Sequence, residues 1–534
     1  MNCIWKTWFV LAFLFVIFGS ENVQAAKQPN LIVIMADDLG YADVGFNGCR
    51  DIPTPNIDRI AQGGVKCTSG YVAYSVCSPS RAGFITGRYG HRFGYERNAQ
   101  YQTGDPNMGL AKEERTIADV LKPVGYTSGV IGKWHLGAHL SNHPLNRGFD
   151  FFYGHLGGGH QYMPELLNIK DSYAAKDEAE SYRTWILRNH EAVPPRKYLT
   201  EEFSEAAVEF VEAEKDSPFF LYLAYNAPHG PLQATEKYLS RLLGIKDTKR
   251  KTYAAMVSAV DDGVGLLLDK LDELKLTENT IVIFLSDNGG PESANASDNG
   301  KLRGGKGDAW EGGYRVPFAV QWKGKLPAGV DYDLPVSSLD IMATIADLSK
   351  APLNPERPLD GVNLIPYLTG QKSEAPHDAI YLRQFDQNKY AVRSGDYKMV
   401  IPFKNGKSLL YNLNVDIGEA DNIADRHPET LQRLETMRVQ WDSELVEPRF
   451  LGLIHLDNWK LKFQKRREAT DKWFAAMDKN EDGRVTEAEW LTWSKADAAQ
   501  NNESNKNNEQ QMLFSIDIDG NGVVTREELY VSVK

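Results

Sequence analysis

Residues 30–40 read NLIVIMADDLG and decide the fold of the chain. Six apolar residues, Leu31 to Ala36, are followed at once by Asp37 and Asp38. A short apolar run rich in branched side chains is typical of a strand that is buried on both faces of a parallel sheet. We therefore expect the two carboxylates to lie at the carboxyl end of a central strand.

Three further stretches repeat this arrangement: YTSGVIGKWHLG at 126–137, PFFLYLAYNAPHGP at 218–231 and NTIVIFLSDNGG at 279–290. The polar residues at their ends are Lys133, His135, Asn226, His229, Asp287 and Asn288. Helical patterns such as TIADVLKPVG and YAAMVSAVDDGVGLLLDKLDEL lie between the stretches. This alternation predicts an α/β fold with a mainly parallel sheet. Ligands of such sheets bind beyond the carboxyl ends of the strands, so we expect one site there.

The residue types at this sheet edge indicate which ligands it binds. Asp37, Asp38, Asp287 and Asn288 offer only oxygen donors, which suits Ca²⁺ or Mg²⁺ and disfavours zinc. The other side chains assigned to the site are cationic or become so on protonation: Arg81, Lys133, His135, His229 and Lys306. A hard cation surrounded by cationic groups predicts a phosphate or sulfate substrate.

CSPSRAGFITGR at residues 77–88 adds Cys77 to this site. Ser78 predicts a helix cap, Pro79 a first helical residue and Gly87 the helix end. Cys77 would then lie at the positive end of the helix dipole, where an anion is stabilised. A buried thiol, half of a disulfide and a thiolate nucleophile are the alternatives. A hard cation matches an oxygen nucleophile better than a soft sulfur.

CSPSRAGFITGR and GYTSGVIGKWH (125–135) resemble the two signatures of the type I sulfatases, in the arylsulfatase and N-acetylgalactosamine-6-sulfatase branch. They follow MADDLG and TPNIDRIA in the family's order, and the resemblance extends to about residue 424. It implies an alkaline-phosphatase-like fold and a sulfuric ester hydrolase that acts on a sulfated carbohydrate or another sulfate ester. Ile85, where leucine is more usual, is a conservative departure.

The resemblance also implies how the site works. A maturase would convert Cys77 to formylglycine, guided by Pro79 and Arg81, and the hydrated aldehyde would supply the nucleophilic oxygen. The resemblance implies that Arg81 and Lys133 hold this group, and that Lys306 grips the sulfate. His135 and His229 would move protons. The implied metal ligands are Asp37, Asp38, Asp287, Asn288 and the residue at position 77.

The composition and the N-terminal segment indicate the partners and the cellular location of the protein. A net charge of −12 over 534 residues argues against nucleic acid as a partner. MNCIWKTWFVLAFLFVIFGSENVQAAK has the layout of a signal peptide over residues 1–25, which predicts a secreted or periplasmic protein with no membrane segment after cleavage. Cleavage would leave Cys49, Cys67 and Cys77, and the sequence leaves open whether the first two form a disulfide.

The C-terminal third differs from the part before it. AIYLRQFDQNKYAVRSGDYKMVIPFKNGKSLLYNL alternates apolar and polar residues around turn signals, which predicts a small antiparallel sheet, and a helix should follow near HPETLQRLETMRVQWDSEL. We therefore expect a signal peptide at 1–25, a catalytic α/β domain at 26–370, an antiparallel subdomain at 371–455 and a C-terminal helical EF-hand pair at 456–534.

DKNEDGRVTEAE (478–489) and DIDGNGVVTREE (517–528) both match the twelve-residue EF-hand loop, with glycine at position 6. The first loop predicts Asp478, Asn480, Asp482, the Arg484 carbonyl and Glu489 as ligands. The second predicts Asp517, Asp519, Asn521, the Val523 carbonyl and Glu528. Up to two Ca²⁺ ions would bind, and a structural calcium module is favoured over a docking module similar to dockerins.

Two other functions stay open at this point. A phosphodiesterase or phosphonate hydrolase of the same fold would need a second set of metal ligands, for which the sequence offers no convincing candidates. A catalytically silent carbohydrate- and calcium-binding protein would lack some site residues, and none is missing. Which sugar is bound is also open, although FFYGHLGGGHQYMPELL offers His155 and His160 as contacts, and the segment from Arg183 to His190 adds a second loop.

Overall fold

The computed structural model describes residues 28–403, 406–450, 471–501 and 523–525. The signal peptide expected at 1–25 lies outside these residues, as do four predicted calcium ligands, namely Asp517, Asp519, Asn521 and Glu528. None of the described helices has the length and apolar character needed to cross a membrane.

The described strands are β1 (Asn30–Ala36), β2 (Val65–Cys67), β3 (Gly70–Tyr71), β4 (Thr127–Lys133), β5 (Phe151–His155), β6 (Ile186–Arg188), β7 (Glu191–Val193), β8 (Phe219–Ala224), β9 (Thr280–Ser286), β10 (Phe318–Gln321), β11 (Val330–Tyr332), β12 (Val336–Ser337), β13 (Ile380–Gln384), β14 (Lys389–Ser394), β15 (Tyr397–Ile401), β16 (Leu409–Asn412), β17 (Arg484–Thr486) and β18 (Val523–Thr525).

The described α-helices are α1 (Pro55–Gln62), α2 (Cys77–Thr86), α3 (Ile117–Leu121), α4 (Glu178–Ser181), α5 (Leu199–Ala213), α6 (Glu236–Leu239), α7 (Thr248–Glu273), α8 (Glu292–Asn295), α9 (Glu311–Tyr314), α10 (Asp340–Ser349), α11 (Ile365–Leu368), α12 (Pro428–Ser443), α13 (471–477) and α14 (Glu487–Asn501).

A ten-stranded mixed sheet lies at the centre, in the order β11-β2-β10-β9-β1-β8-β4-β5-β6-β7. Strands β9, β1, β8, β4 and β5 are mutually parallel. The four strands predicted from the apolar runs are β1, β4, β8 and β9, and their order brings their carboxyl ends to one edge. The predicted α/β fold with a mainly parallel sheet is therefore confirmed.

Helices cover both faces of this sheet. Alternate side chains of β1 enter two separate cores, with Leu31, Val33 and Met35 in one and Ile32, Ile34 and Ala36 in the other. Helices α2, α3 and α10 contribute to the first core, and α1, α5 and α7 to the second. This double burial explains why the strand reads as an unbroken apolar run.

The predicted small antiparallel sheet is also present, as β13-β14-β15-β16 with α12 packed on it. Buried charges join it to the central domain. Lys398 of β15 lies 2.9 Å from Glu311 and 2.9 Å from Glu419. Burial, with the Glu311 charge beside it, raises the pKa of Glu419 to about 7.

The first EF-hand loop lies between α13 and α14. Its strand β17 pairs antiparallel with β18, so that Val485 faces Val524 in the centre of the second predicted loop. Phe474, Met477, Val485, Trp490 and Val524 form a small core of their own.

Candidate active site

Side chains from the ends of two strands and from the start of one helix meet at the carboxyl edge of the central sheet. Asp37 and Asp38 follow β1, Asp287 follows β9, and Cys77 begins α2. One ligand atom from each of these four residues lies within 4.8 Å of the others, and all four side chains are buried. Residues that are some 250 positions apart in the sequence therefore form one cluster, as the topology rule predicted.

The donor set of this cluster fits a hard divalent cation. Besides the three carboxylates, Asn288 directs its amide nitrogen to Asp38 Oδ1 at 2.7 Å. Its Oδ1 atom is buried and has no hydrogen-bond partner among the described residues. Burial of an oxygen atom without a partner costs free energy of folding. A cation bound between the carboxylates would give this oxygen a partner. Apart from the EF-hand loop, the candidate metal groups found among the described residues all include Asp37.

Each carboxylate of the cluster is paired with a cationic side chain. Lys133 Nζ lies 2.6 Å from Asp37 Oδ2, Arg81 Nη2 lies 2.8 Å from Asp287 Oδ2, and Lys306 Nζ lies 2.7 Å from Asp38 Oδ1. Burial would raise the pKa of Asp37, but the charges of Lys133, His229 and Arg81 outweigh it and hold that pKa well below its usual value. Burial and the Asp37 charge raise the pKa of Asp287 to about 6. The site is thus a compact alternation of anions and cations.

Cys77 lies within reach of both kinds of group. Its Sγ atom is 3.1 Å from Lys306 Nζ and 3.5 Å from Asp37 Oδ1. Burial raises the pKa of the thiol above its usual value despite Lys133 and Lys306. An unmodified Cys77 is therefore protonated at neutral pH, which disfavours the thiolate nucleophile left open by the sequence.

The start of α2 differs from the prediction. The helix begins at Cys77 after Val76, and Ser78 lies inside the first turn, so the predicted Ser78 cap is wrong. The Ser78 hydroxyl donates instead to the His135 carbonyl at 2.6 Å and lies 2.8 Å from Tyr95 Oη. Ser78 thus fixes the helix to the end of β4. Gly87, with φ of 63°, ends the helix as predicted.

The two predicted proton carriers lie on either side of the cluster. His229 Nε2 is 3.7 Å from Asp38 Oδ2, and its side chain keeps 18% exposure. His135 is buried, its ring nitrogens have no hydrogen-bond partner in the described part of the chain, and its φ of 54° is a left-handed conformation. Burial lowers the pKa of both imidazoles, and the charge of Lys133 adds to this at His135. Left-handed backbone at a β-strand end is the kind of strain that active sites hold.

Three other residues singled out in the sequence are buried. Asn226 follows β8 at the same edge, but it is 0% exposed. His155 and His160 are 3% and 0% exposed, and their rings contact each other at a tilt with centroids 4.8 Å apart. Both histidines are buried, and this burial does not support the predicted sugar contacts at these two residues. Cys49 and Cys67, whose pairing was open, are both free thiols.

Side chains from segments outside the sequence motifs also reach the site, and the sequence did not predict them. Gln384 of β13 donates to Ser75 Oγ at 2.5 Å and to the Gly307 carbonyl at 3.0 Å. It therefore ties the C-terminal sheet to the segments that carry Cys77 and Lys306. Glu178 and Tyr182, in and after α4, border the histidine side of the site. None of these residues belongs to a motif, and only their placement in the fold identifies them.

The first EF-hand loop collects its predicted donors locally. Asp478 accepts from the backbone amides of Asp482 at 3.1 Å and of Gly483 at 3.0 Å. Glu489 accepts from the Thr486 amide at 3.0 Å. Gly483 has a φ of 78°, which explains the glycine at position 6.

Comparisons with known proteins agree with this geometry. The sulfatase family profile matches residues 29–351, and the EF hand profile matches residues 470–492. Steryl-sulfatase of Homo sapiens is 31% identical over 447 residues, which cover 69% of this chain and 74% of that protein. N-acetylgalactosamine-6-sulfatase of Mus musculus is 35% identical over 396 residues, which cover 70% of this chain and 72% of that protein.

A solved structure extends the likeness over the fold. The crystal structure of Ps i-CgsB in complex with k-i-k-neocarrahexaose has a TM-score of 0.77 to this chain at 38% identity, and the match covers 84% of this chain and 100% of that one. The family profile, the relatives and the clustered site residues lead to one conclusion. The chain belongs to the sulfatase family and is an enzyme that hydrolyses sulfate esters.

Proposed function

We propose that the protein removes sulfate from a sulfated carbohydrate, with formylglycine at position 77 as the source of the nucleophile and one divalent cation, Ca²⁺ or Mg²⁺, in the site. The observation that carries this proposal is the meeting of Cys77 with oxygen donors and cations at one sheet edge. The carbohydrate in the Ps i-CgsB complex supports the substrate class.

Asp37, Asp38, Asp287 and Asn288 would hold the cation, together with the residue at position 77. When bound, the cation supplies electrostatic stabilisation to the negatively charged sulfate group. The partnerless Asn288 Oδ1 atom supports its inclusion among the ligands. Lys133, Arg81 and Lys306, each paired with one of the three carboxylates, keep these side chains in place.

Formylglycine, once hydrated, supplies a hydroxyl group as the nucleophile where the buried thiol cannot serve. Lys306 Nζ is the cation closest to position 77 and keeps 18% exposure, so it can reach a sulfate oxygen as well. Arg81 is fixed by Asp287, by the Lys133 carbonyl at 3.1 Å and by Tyr222 Oη at 3.1 Å. A guanidinium held at that many points is a preorganised charge for the reacting group.

Protons would be handled by the two histidines. His229 keeps 18% exposure beside Asp38, so its Nε2 atom would protonate the leaving alcohol oxygen. His135 is buried on the other side, where a neutral imidazole can accept a proton from the group at position 77.

The two rival functions are less well supported. A phosphodiesterase with two metals needs a second ligand set beside the first, and the candidate groups of the described residues share Asp37 and Cys77. A catalytically silent binding protein has no need of the internal cations that neutralise this cluster.

Maturation, export and calcium binding would prepare the enzyme for this reaction. A formylglycine-generating maturase would act on Cys77 before folding buries it, because Cys77 is 1% exposed in the fold. The N-terminal segment would direct the chain out of the cytosol as a secreted or periplasmic protein. The EF-hand pair would bind up to two Ca²⁺ ions as an accessory module, which the pairing of β17 with β18 supports.

The test is sulfate release by the full chain, produced together with a maturase. We expect sulfate release from k-i-k-neocarrahexaose or from a monosulfated galactose or N-acetylgalactosamine. Cys77→Ala should lose at least about 10³-fold in kcat/KM, because the covalent nucleophile is gone. Cleavage of phosphodiesters to a phosphomonoester and an alcohol at a higher rate than the release of sulfate from every sulfate ester would overturn the proposal.

A further inference from the structure

The segment between β5 and β6 forms a wall of the active site that the catalytic residues do not explain. It contains Gly157, Gly158 and Gly159, then the short helix α4, and then Tyr182. A Cβ atom at Gly158 would come within 2.8 Å of Glu178 Oε1 and 2.9 Å of His135 Nε2. The glycine backbone therefore passes between α4 and the imidazole of His135, and any side chain at Gly158 would clash.

Tyr182 lies on the same wall. A Cβ atom at Gly159 would lie 2.5 Å from Tyr182 Cζ and 2.6 Å from its hydroxyl oxygen, so the ring packs directly on the glycine loop. Gly158, which lies against His135, and Gly159, which lies against the Tyr182 ring, are consecutive residues, so the ring borders the histidine side of the catalytic cluster. The hydroxyl has no hydrogen-bond partner among the described residues, and the side chain is only partly buried.

The position of this ring is fixed by its neighbours. The Tyr182 carbonyl accepts from the Gln161 amide at 2.9 Å. Glu178 accepts from the Gly158 amide at 3.0 Å and from the Tyr101 amide at 3.1 Å, which holds α4 against the loop. An aromatic ring that is held in place beside a reactive cluster, with its hydroxyl unused, is a ready contact surface for a ligand.

We propose that Tyr182 is a specificity-determining residue whose ring packs against the sugar ring that carries the scissile sulfate. This inference rests on the proposed carbohydrate substrate. The sulfate itself is an anion and would be held by Lys306 and the cation site, whereas the pyranose has apolar C–H faces that need an apolar surface. Tyrosine offers such a surface with little loss of side-chain freedom. Glu178 acts as a positioning residue that keeps the glycine loop and α4 together.

The experiment compares Tyr182→Ala and Tyr182→Phe with the unchanged enzyme, all as full chains produced with a maturase. The unchanged enzyme is first tested on k-i-k-neocarrahexaose, on monosulfated galactose and on monosulfated N-acetylgalactosamine. We then measure kcat/KM of all three proteins on the carbohydrate that the unchanged enzyme hydrolyses best. Competitive inhibition by inorganic sulfate, which has no ring, reports on the sulfate site alone.

We expect Tyr182→Ala to lower kcat/KM about 10- to 100-fold, chiefly through KM, while the inhibition constant of inorganic sulfate stays unchanged. Tyr182→Phe, which keeps the ring, should retain most of the activity. An alanine variant with unchanged kcat/KM, a parallel loss of sulfate affinity, or a phenylalanine variant as damaged as the alanine variant would overturn the role of Tyr182. An unchanged enzyme that hydrolyses an aryl sulfate but none of the carbohydrates would instead overturn the proposed function itself.

Discussion

The active site and the first EF-hand loop are two oxygen-donor clusters in one chain, and they are built in opposite ways. The loop takes its donors from twelve consecutive residues, and Asp478 accepts from backbone amides of that same loop. The active site takes its donors from the ends of β1 and β9 and pairs each carboxylate with a buried or partly buried cation.

The two clusters differ in how the charge of their carboxylates is balanced. In the active site, Lys133, Arg81 and Lys306 balance the carboxylates from within the fold, so the proposed ion would be needed for chemistry more than for folding. In the loop, no cationic side chain pairs with Asp478 or Asp482 among the described residues, so the proposed calcium ion would have to balance their charge. We expect the two sites to respond differently when a carboxylate is removed.

The largest effect should follow removal of the Asp37 charge. Asp37→Asn leaves Lys133 Nζ, which is 0% exposed, without its anion, and it also removes a proposed metal ligand. An uncompensated buried charge costs about 3–5 kcal/mol of stability. We therefore expect Asp37→Asn to lower the free energy of unfolding by about 3 kcal/mol and to abolish sulfate release. Urea unfolding in the presence of a chelator measures the first effect without the ion.

The matched control is Asp478→Asn, the same substitution in the EF-hand loop. With a chelator present, its cost to the unfolding of the sulfatase domain should be less than about 1 kcal/mol, since its partners are backbone amides of a local loop. Equal destabilisation by the two variants would contradict the comparison.

The second prediction separates the sites by calcium stoichiometry. Glu489→Gln removes the predicted bidentate ligand at position 12 of the loop, whereas Glu487, in the same helical turn, lies at no predicted ligand position and its change to Gln is the control. Calorimetric titration should lose one calcium site in Glu489→Gln only, and hydrolysis of a small aryl sulfate should stay unchanged in both variants. Trp490, which follows Glu489 and packs in the EF-hand core, provides an optical signal for the same site. Loss of hydrolysis together with the calcium site would show that the module is not accessory.

The smallest effect concerns a buried charge cluster that has no proposed metal, namely Lys398 with Glu311 and Glu419. The pKa of Glu419 is raised from 4.5 to about 7, so the folded state binds its proton more tightly than the unfolded state does. Its contribution to stability is therefore complete below about pH 4.5 and is lost as the pH rises to about 7.

The difference in free energy of unfolding between the unchanged protein and Glu419→Gln should thus fall as the pH rises through this window, by on the order of 1 kcal/mol. Denaturant unfolding at several pH values measures it. A difference that rises with pH, or does not change, would show that Glu419 is ionised throughout.

Most of the site can be predicted from the sequence because the site residues directly follow apolar runs that predict strands. Asp37, Asp287 and His229 all follow apolar runs, and parallel strands bring such positions to one edge. The EF-hand loop is predictable from spacing alone, because all its ligands are local. Ser78 was mispredicted as a helix cap because its hydroxyl donates instead to the carbonyl of His135, which follows β4 and is distant in the sequence.

Other features leave no trace in the local sequence. The antiparallel strands β2 and β10 are short, and their pairing depends on contacts made far along the chain. Tyr182 and Gln384 reach the site only because the segments that carry them fold over the sheet edge, which no periodicity encodes. The burial of His155 and His160 likewise follows from packing between the loop and α5, where His155 meets Phe203.

We propose that position 77 does not remain a cysteine in the active enzyme. Mass spectrometry of the peptide that contains residue 77, from protein made in its native host, tests this most directly. We expect an aldehyde, formylglycine, in place of the thiol. An intact thiol in all of this material, together with full sulfatase activity, would contradict it.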